Sequence, residues 1–461
     1  MNTTSYAIKY QRKCLSHYQT TCDSYSFFNL LTSEDLLDKV EELLPEHRER
    51  LFPPTETLSM FLAQVMSSDS SCQNIVNKSA VQRLTDGLPM NSTHTGGFCR
   101  ARKRLPLELI KGLAQHLGNE LDQKAPKQWL WKKRKVRIVD GTTVTMPDTE
   151  ANKQAFPQHQ EQSPGIGFPI CRIVGITSLE SGMLLNAAIG PLKGKGGSEQ
   201  RLLRDIQDTL HKGDILLGDA LFATYFFMAN MIDKGVDILM EQHGSRQRLV
   251  DFRTGKSLGQ RDHLIHFEKP KIRPDWLSES AYESAPDTLQ IREFKSKGKT
   301  IVTTMICPKR YKKADLSTLY TSRWHVELDL RNIKTTLGMS VVSCKTPEMI
   351  LKEIWVYLLA YNLLRLLMSQ SALLTRKLPR QLSFKHCLQL WLWALPMLSY
   401  MEEEMIVKLH LLMGEQQVGN RPGRIEPRSV KRRRKSYALL TIPRHVARTT
   451  IIKSGHTKKL K

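Results

Sequence analysis

The residues best placed to do chemistry are Tyr320, Arg323, Glu327 and Lys334, in the stretch LYTSRWHVELDLRNIKTTLGM. On a single helix advancing roughly 100° per residue, with Tyr320 at zero, Arg323 falls near 300°, Glu327 near 340° and Lys334 near 320°, a stripe about 60° wide. A tyrosine, two cations and a carboxylate on so narrow a stripe make a poor core face. They suit a phosphodiester and a metal ion: Glu327 can ligate a divalent cation while the others grip phosphate oxygens.

Two aspartates upstream can join Glu327. Asp140 ends the apolar run VRIV, and Gly141 beside it permits close backbone approach. Asp219 closes the run ILLG on what should be a neighbouring central strand. Taken singly, each is equally a strand-end aspartate shaping a turn. Asp148, behind Pro147, reads as a turn residue, and Asp214 begins its strand at the wrong end for such a site.

The spacing Tyr-x2-Arg-x3-Glu-x6-Lys resembles the signature of the IS4 family of bacterial DDE transposases, and it matches at Tyr320, Arg323, Glu327 and Lys334. Fixed identities at fixed gaps are far more specific than a lone glycine motif. The resemblance implies that Asp140, Asp219 and Glu327 are catalytic and hold two divalent ions, about 3.5–4 Å apart, that bridge the scissile phosphate. Hard oxygen ligands select Mg²⁺ or Mn²⁺. It also implies that Tyr320, Arg323 and Lys334 contact DNA at the transposon end. Arg323 is then the bidentate grip on phosphate, and Tyr320 a hydrogen-bond donor or a stacking surface. The expected partners are double-stranded DNA, as terminal inverted repeats and target, and a second copy of the chain holding the other end.

The elements that must position these groups follow from the period of the apolar residues. Residues 1–25 have little periodicity, and a helical pattern runs from about 33 to 120. Ser33 reads as a cap before EDLLDKVEELL, and TETLSMFLAQVMSSDSS and LELIKGLAQHLGNEL read as further helices. The period then changes to two. KVRIVDGTTVTM (135–146) is a strand, FPICRIVGIT (168–177) and GMLLNAAIG (182–190) a hairpin, DILLGDA (214–220) a short buried strand and VDILMEQ (236–242) another. Helices are expected at 198–213 and 222–235, giving an α/β fold with an RNase H-like mixed sheet and flanking helices. HLIHFEK, LQIREFK and TIVTTMIC form a β-rich insertion before the Glu327 helix. Helices are then expected at about 317–338, 347–370 and 381–403. The expected domains are a helical DNA-binding domain (1–125), a first part of the core (126–242), the insertion (243–315), the C-terminal core helices (316–410) and a basic tail (411–461).

Composition agrees with a polyanionic partner. The chain has 461 residues, a formal net charge of +24 and a pI of about 9.7, an excess that points to nucleic acid before membrane. In CRARKRLP (99–106), Arg100, Arg102, Lys103 and Arg104 are expected to meet DNA phosphates, against the alternative of a solvated helix face. WKKRKVR (131–137) is a second basic run, and the tail from about 418 is basic and broken by glycine and proline.

Other classes find no support. The eight cysteines are scattered without CxxC spacing, which argues against structural zinc and fits a reducing compartment. The first residues lack the apolar core of a secretory signal. The longest apolar stretch, IWVYLLAYNLLRLLM (354–368), is short and carries Asn362 and Arg365, so a buried helix is expected and no membrane span. The expected location is the bacterial cytoplasm, near the nucleoid. GPLKGKGGSEQ (190–200) has the wrong spacing for a phosphate-binding Walker loop, and phosphodiester transesterification needs no ATP. Neither HExxH nor GxSxG occurs. Trp276 is either a packing residue or a platform for a flipped base.

The function expected is therefore metal-dependent cleavage at transposon ends followed by strand transfer, as cut-and-paste transposition. The alternatives are a catalytically silent or co-opted DNA-binding protein, and a nuclease of the same fold without strand transfer.

Overall fold

The computed structural model describes residues 42–44, 52–67, 69–85, 87, 92–159, 161, 163, 165–192, 194, 196–395, 397, 401, 403–419 and 440–455. The cap expected at Ser33 and most of the basic tail lie outside the described residues.

Helices come first: α1 (Pro54–Met66), α2 (Cys72–Thr85), α3 (Gly96–Arg104) and α4 (Leu107–Gln123). Pro54 suits a first turn, where its missing N–H is not needed. In α4, Leu109, Ile110, Leu113, Ala114 and Leu117 recur at helical spacing, and all are buried. Gly118 lets α4 lie directly on the chain at Leu184, since a Cβ there would stand 2.4 Å from the Leu184 carbonyl oxygen.

Among the described residues, nine strands form one sheet: β1 (Val136–Thr145), β2 (Ile170–Ser178), β3 (Leu184–Pro191), β4 (Ile215–Gly218), β5 (Asp237–Glu241), β6 (Lys256–Gly259), β7 (Asp262–Glu268), β8 (Thr288–Ser296) and β9 (Lys299–Thr303). Their spatial order is β3-β2-β1-β4-β5-β9-β8-β7-β6. β1, β2 and β3 are antiparallel neighbours, and β4 and β5 run parallel to β1. An antiparallel meander with two parallel strands added beyond β1 is the RNase H-like arrangement expected. The remaining strands carry the same sheet outward: β9 pairs antiparallel with β5, then β8, β7 and β6 follow.

Connecting helices are α5 (Glu150–Ala155), α6 (Glu199–Asp205), α7 (Tyr225–Asp233), the single turn α8 (Gly244–Gln247) and α9 (Glu279–Ser284). After β9 come α10 (Lys313–Thr321), α11 (Trp324–Arg331), a π-helical turn (Asn332–Thr336), α12 (Pro347–Leu374), α13 (Phe384–Ala394), α14 (Glu403–Glu415) and α15 (Arg444–Ser454).

The central strands β1, β4 and β5 are buried on both faces, and alternate residues serve different layers. Val139, Leu216, Ile238 and Met240 face α6 and α7. Val136, Ile138, Ile215, Leu217 and Leu239 face Leu316, Leu319, Tyr320 and Val326 of α10 and α11. Further along, Val144 and Met146 meet α12, which is buried around its whole circumference. No helix among the described residues is long and apolar enough to cross a membrane. Asn362, which interrupted the apolar run, is fully bonded: its amide donates to the carbonyls of Ala114 (2.7 Å) and Leu184 (2.8 Å), and its oxygen accepts from the Leu184 N–H (2.9 Å).

Three expected helices differ. The one expected at 198–213 stops at Asp205, and a 3₁₀ turn (Gln207–Thr209) follows. The segment 317–338 is not one regular helix. The N–H groups of Ser322, Arg323, His325 and Val326 bond three residues back, a tight 3₁₀-type junction between α10 and α11. The chain then widens into the π-turn, where the Leu337 N–H bonds the Asn332 carbonyl. The helix expected at 381–403 is shorter, with α13 ending at Ala394.

Candidate active site

β1 delivers Asp140. Even-numbered residues of β1 face α10 and α11, so the Asp140 side chain shares that layer, while Gly141 faces α6. Asp140 sits opposite Gly175 of β2, and its Oδ1 accepts a hydrogen bond from the Gly141 N–H (2.8 Å). Asp219 comes directly after β4. The parallel register pairs Ile138 with Leu217, so two more residues bring Asp219 level with Asp140. Parallel neighbours lie about 4.8 Å apart. Asp219 Oδ1 accepts from the Leu221 N–H (2.9 Å), which fixes the turn that presents it.

Glu327 reaches the same place from α11. Arg323 stands between the carboxylates, its Nη2 2.8 Å from Glu327 Oε1 and its Nη1 3.7 Å from Asp140 Oδ2. The guanidinium occupies the ground between strand and helix where a bound cation would neutralise both groups. Burial opposes its charge, but the hydrogen bond it donates to Glu327, with Tyr320 and Asp140, holds its pKa above the usual value. Asp140 is pushed up to about 6, first by burial, against the Gly141 bond and Arg323, with Asp219 and Glu199 adding negative charge. Among the described residues Arg323 serves both Asp140 and Glu327, and Arg172 serves Glu199.

Tyr320 lies beneath them in α10. It is 8% exposed, and its buried hydroxyl makes no hydrogen bond of ordinary geometry. Burial pushes its pKa up to about 12, so it remains a neutral donor. Lys334 lies in the π-turn, half-buried near Cys171 of β2, and burial lowers its pKa. The tight junction and the π-turn alter the angular advance on either side of Glu327. What joins these residues is a bent helical path wrapped over β1 and β2, rather than a straight stripe. His325, also on α11, is pushed down to about 4 by burial and by the charges of Arg380 and Arg365. It is uncharged at neutral pH.

The donor set fits a divalent metal in chemistry: hard carboxylate oxygens in excess of the available positive charge. Among the described residues no three His, Cys, Asp or Glu side chains stand close enough together to hold an ion, because Arg323 separates Glu327 from Asp140. Holding an ion requires Arg323 to turn away from these carboxylates.

The Transposase DDE domain family matches residues 131–363, about half of the chain. The chain belongs to that family. The transposase InsG of insertion sequence element IS4 from Escherichia coli (strain K12) is 28% identical over 318 residues, covering 66% of this chain and 68% of that one. A solved structure of the piggyBac transposase synaptic complex with hairpin DNA aligns with 88% of each chain, at 9% identity and a TM-score of 0.43. This chain is therefore a DDE transposase, an enzyme that cleaves and transfers DNA strands and depends on divalent metal.

The structure separates the four basic residues expected to meet DNA in the N-terminal helices of the transposase. Arg100, Lys103 and Arg104 are exposed. Arg102 is not a surface phosphate contact. It is 7% exposed, stacked between the rings of Phe61 and Phe98, and bonded to Gln64 Oε1 (3.0 Å). The periodicity of α3 turns it inward, where its planar guanidinium packs like an aromatic ring. The run 131–137 is likewise engaged internally: Arg137 binds Asp122 (2.5 and 2.8 Å) and Asp214 (3.0 Å), and Arg134 binds Asp237 (2.6 Å). This confirms Asp214 as belonging to the opposite end of the sheet.

One acidic neighbour was missed. Glu199, at the start of α6, rests against Gly141 on the other face of the sheet, where a Cβ would stand 2.6 Å from its carboxyl carbon. Burial raises its pKa, with Arg172 opposing and Asp219 adding to the shift. The only sequence hint was Gly141 itself. Trp276 is packed against Phe226 and covered by the Arg204 guanidinium at 3.9 Å, in keeping with a packing role.

Proposed function

We propose that Asp140, Asp219 and Glu327 are the catalytic carboxylates of this transposase and that together they hold two Mg²⁺ or Mn²⁺ ions. The observation that carries this reading is Arg323, which links Glu327 of α11 to Asp140 of β1 at the level of Asp219. When bound, the ions supply a polarised attacking oxygen and neutralise the leaving one. Everything else falls to the chain. The turn at Leu221 and the Gly141 N–H aim the two aspartates. Arg323 exchanges its carboxylate partners for phosphate oxygens when DNA enters, which frees Glu327 and keeps the local charge balanced. The unpaired hydroxyl of Tyr320 donates to phosphate, and Lys334 grips the strand further along.

Water first attacks a phosphorus at the transposon end, and the departing oxygen leaves as a 3′-hydroxyl. That hydroxyl then attacks a second phosphodiester, forming one bond and breaking one, so no nucleotide cofactor is consumed. Terminal inverted repeats and target DNA are the substrates. A homodimer holds the two ends, and Arg100, Lys103 and Arg104 add phosphate contacts. A bacterial cytoplasm supplies DNA and Mg²⁺ together.

The test is a labelled linear DNA carrying the gene with its native flanks, incubated with purified protein and Mg²⁺, with Ca²⁺ as the non-catalytic control. Breaks at two inverted boundaries with joined products are expected. Binding without breaks, or scattered nicks without joining, would sink the reading in favour of a silent DNA-binding protein or a nuclease.

A further inference from the structure

Glu327 is not the only carboxylate that α11 carries inward. Asp329, two residues on, points roughly 200° around the helix. Glu327 faces the strand ends, while Asp329 faces away into the protein, where it is fully buried. Both its oxygens are taken by arginines from elsewhere in the chain. Arg365 of α12 donates to Oδ1 (2.5 Å), and Arg380, in the short turn Pro379–Gln381, donates to Oδ1 (3.1 Å) and Oδ2 (2.9 Å).

Those arginines do not stop at Asp329. Arg380 also donates to the carbonyls of Ser178 (2.8 Å) and Leu179, at the end of β2. Arg365 donates to the Tyr361 hydroxyl (2.9 Å), which donates to the Gly182 carbonyl (2.7 Å) in the turn between β2 and β3. Gly182 has φ +77°, and a Cβ there would stand 2.8 Å from the Arg365 Cζ. The network thus runs from the Glu327 helix to the hairpin whose first strand pairs with the Asp140 strand.

We propose that Asp329, clamped by Arg365 and Arg380, is the positioning residue of the active site: it fixes the seat of Glu327 over β1 by tying α11 to the β2–β3 hairpin. Packing alone leaves α11 poorly held. It is eight residues long, lies between a tight junction and a π-turn, and buries only Val326 and Asp329. A bonded carboxylate with a forked partner on each side fixes direction as well as distance. The proposal rests on Glu327 being a catalytic metal ligand.

The experiment compares Arg380→Gln, Arg380→Lys, Asp329→Asn and Glu327→Gln in full-length protein. End cleavage is read against Mg²⁺ concentration, and Mn²⁺ binding to the protein–DNA complex is read by calorimetry. A misplacement near 1 Å costs on the order of a hundredfold in rate. Arg380→Gln is therefore expected to slow cleavage by about that factor, to raise the half-saturating Mg²⁺ several-fold and to weaken Mn²⁺ binding, while end binding stays near wild type. Arg380→Lys keeps the charge without the fork and should recover part of each. A role in folding alone predicts lower stability with unchanged Mg²⁺ dependence and Mn²⁺ affinity per folded molecule, and that result overturns the proposal. Asp329→Asn strands two arginines, so if it does not fold the Arg380 pair still decides. Cleavage by Glu327→Gln would remove the underlying reading of the site. A dead Glu327→Gln beside a normal Arg380→Gln removes only the clamp.

Discussion

The start and the middle of strand β1 treat charge differently. At its start, Arg137 lies between Asp122 and Asp214, Lys135 joins Asp122 (2.9 Å), and Arg134 is bonded to Asp237. Asp122, Asp214 and Asp237 each have a cation in direct contact, while the buried Glu180 is held by the Val136 N–H and the Ser178 hydroxyl. Midway along it, Asp140 and Glu327 share Arg323, Asp219 lies level with Asp140, and Glu199, paired with Arg172, adds negative charge from the opposite face. The start is finished by folding. The middle is left short of positive charge, and Asp140, pushed up to about 6, bears the cost. Removing one partner of a buried pair strands the other charge at a large cost in stability, whereas a set of carboxylates perturbed by burial and by one another marks a candidate functional site.

The comparison breaks most sharply on activity. Glu327→Gln should remove cleavage by ~10⁴-fold or more, over ~5 kcal/mol of barrier, while DNA binding and folding persist. Gel-resolved end cleavage checks it, and a mutant that cuts normally takes Glu327 out of the site. At the balanced end the loss should fall on folding instead. Arg137→Ala leaves two buried carboxylates without their main partner, for which about 3–5 kcal/mol of lost stability is expected. Denaturant titration measures it, and an unchanged midpoint would show the network to be inessential.

Asp140→Asn should lose cleavage yet stabilise the metal-free protein at pH 7 by roughly 1–2 kcal/mol, since an amide avoids the burial of charge. The sign follows from the raised folded-state value. Between about 4 and about 6 the folded chain holds a proton that the unfolded chain has released, so stability falls as pH rises across that window and the deficit is complete above it. Melting curves of wild type and variant should converge below about pH 4; parallel curves would contradict the assignment. The smallest effects belong to the N-terminal helices. Arg100→Ala and Lys103→Ala should each reduce the salt slope of DNA binding by about 1, whereas Arg102→Ala should leave the slope alone and destabilise the fold. A slope that moves with Arg102 would restore it as a phosphate contact.

Much of this was readable before the fold. The alternation in VRIVDG and the apolar ILLG put Asp140 on a strand and Asp219 directly after one, and the residues of α4 and α12 announced helices. The helical wheel over 320–334 assumed one regular helix, whereas the hydrogen bonds three and five residues back are set by how the segment wraps over β1 and β2. Arg102 was misread because a run of cations looks the same whether a stacking slot lies under one of them or not. Glu199 was invisible because its neighbour, Gly141, is 58 residues away along the chain and meets it only once α6 packs on the sheet.

The sequence by itself determined the chemistry available: residues at the spacing of a family signature, three candidate carboxylates, the basic balance and the strand-then-helix order. These are local or compositional properties, written in residue type and spacing. Tertiary structure alone decided which charges are balanced. It brought Asp219 level with Asp140 through the β1–β4 register, set Arg323 between strand and helix, and locked Asp329 to residues 36 and 51 positions further along. Whether a charge is neutralised depends on distances of a few ångströms between segments far apart in sequence, and only the folded chain sets those distances.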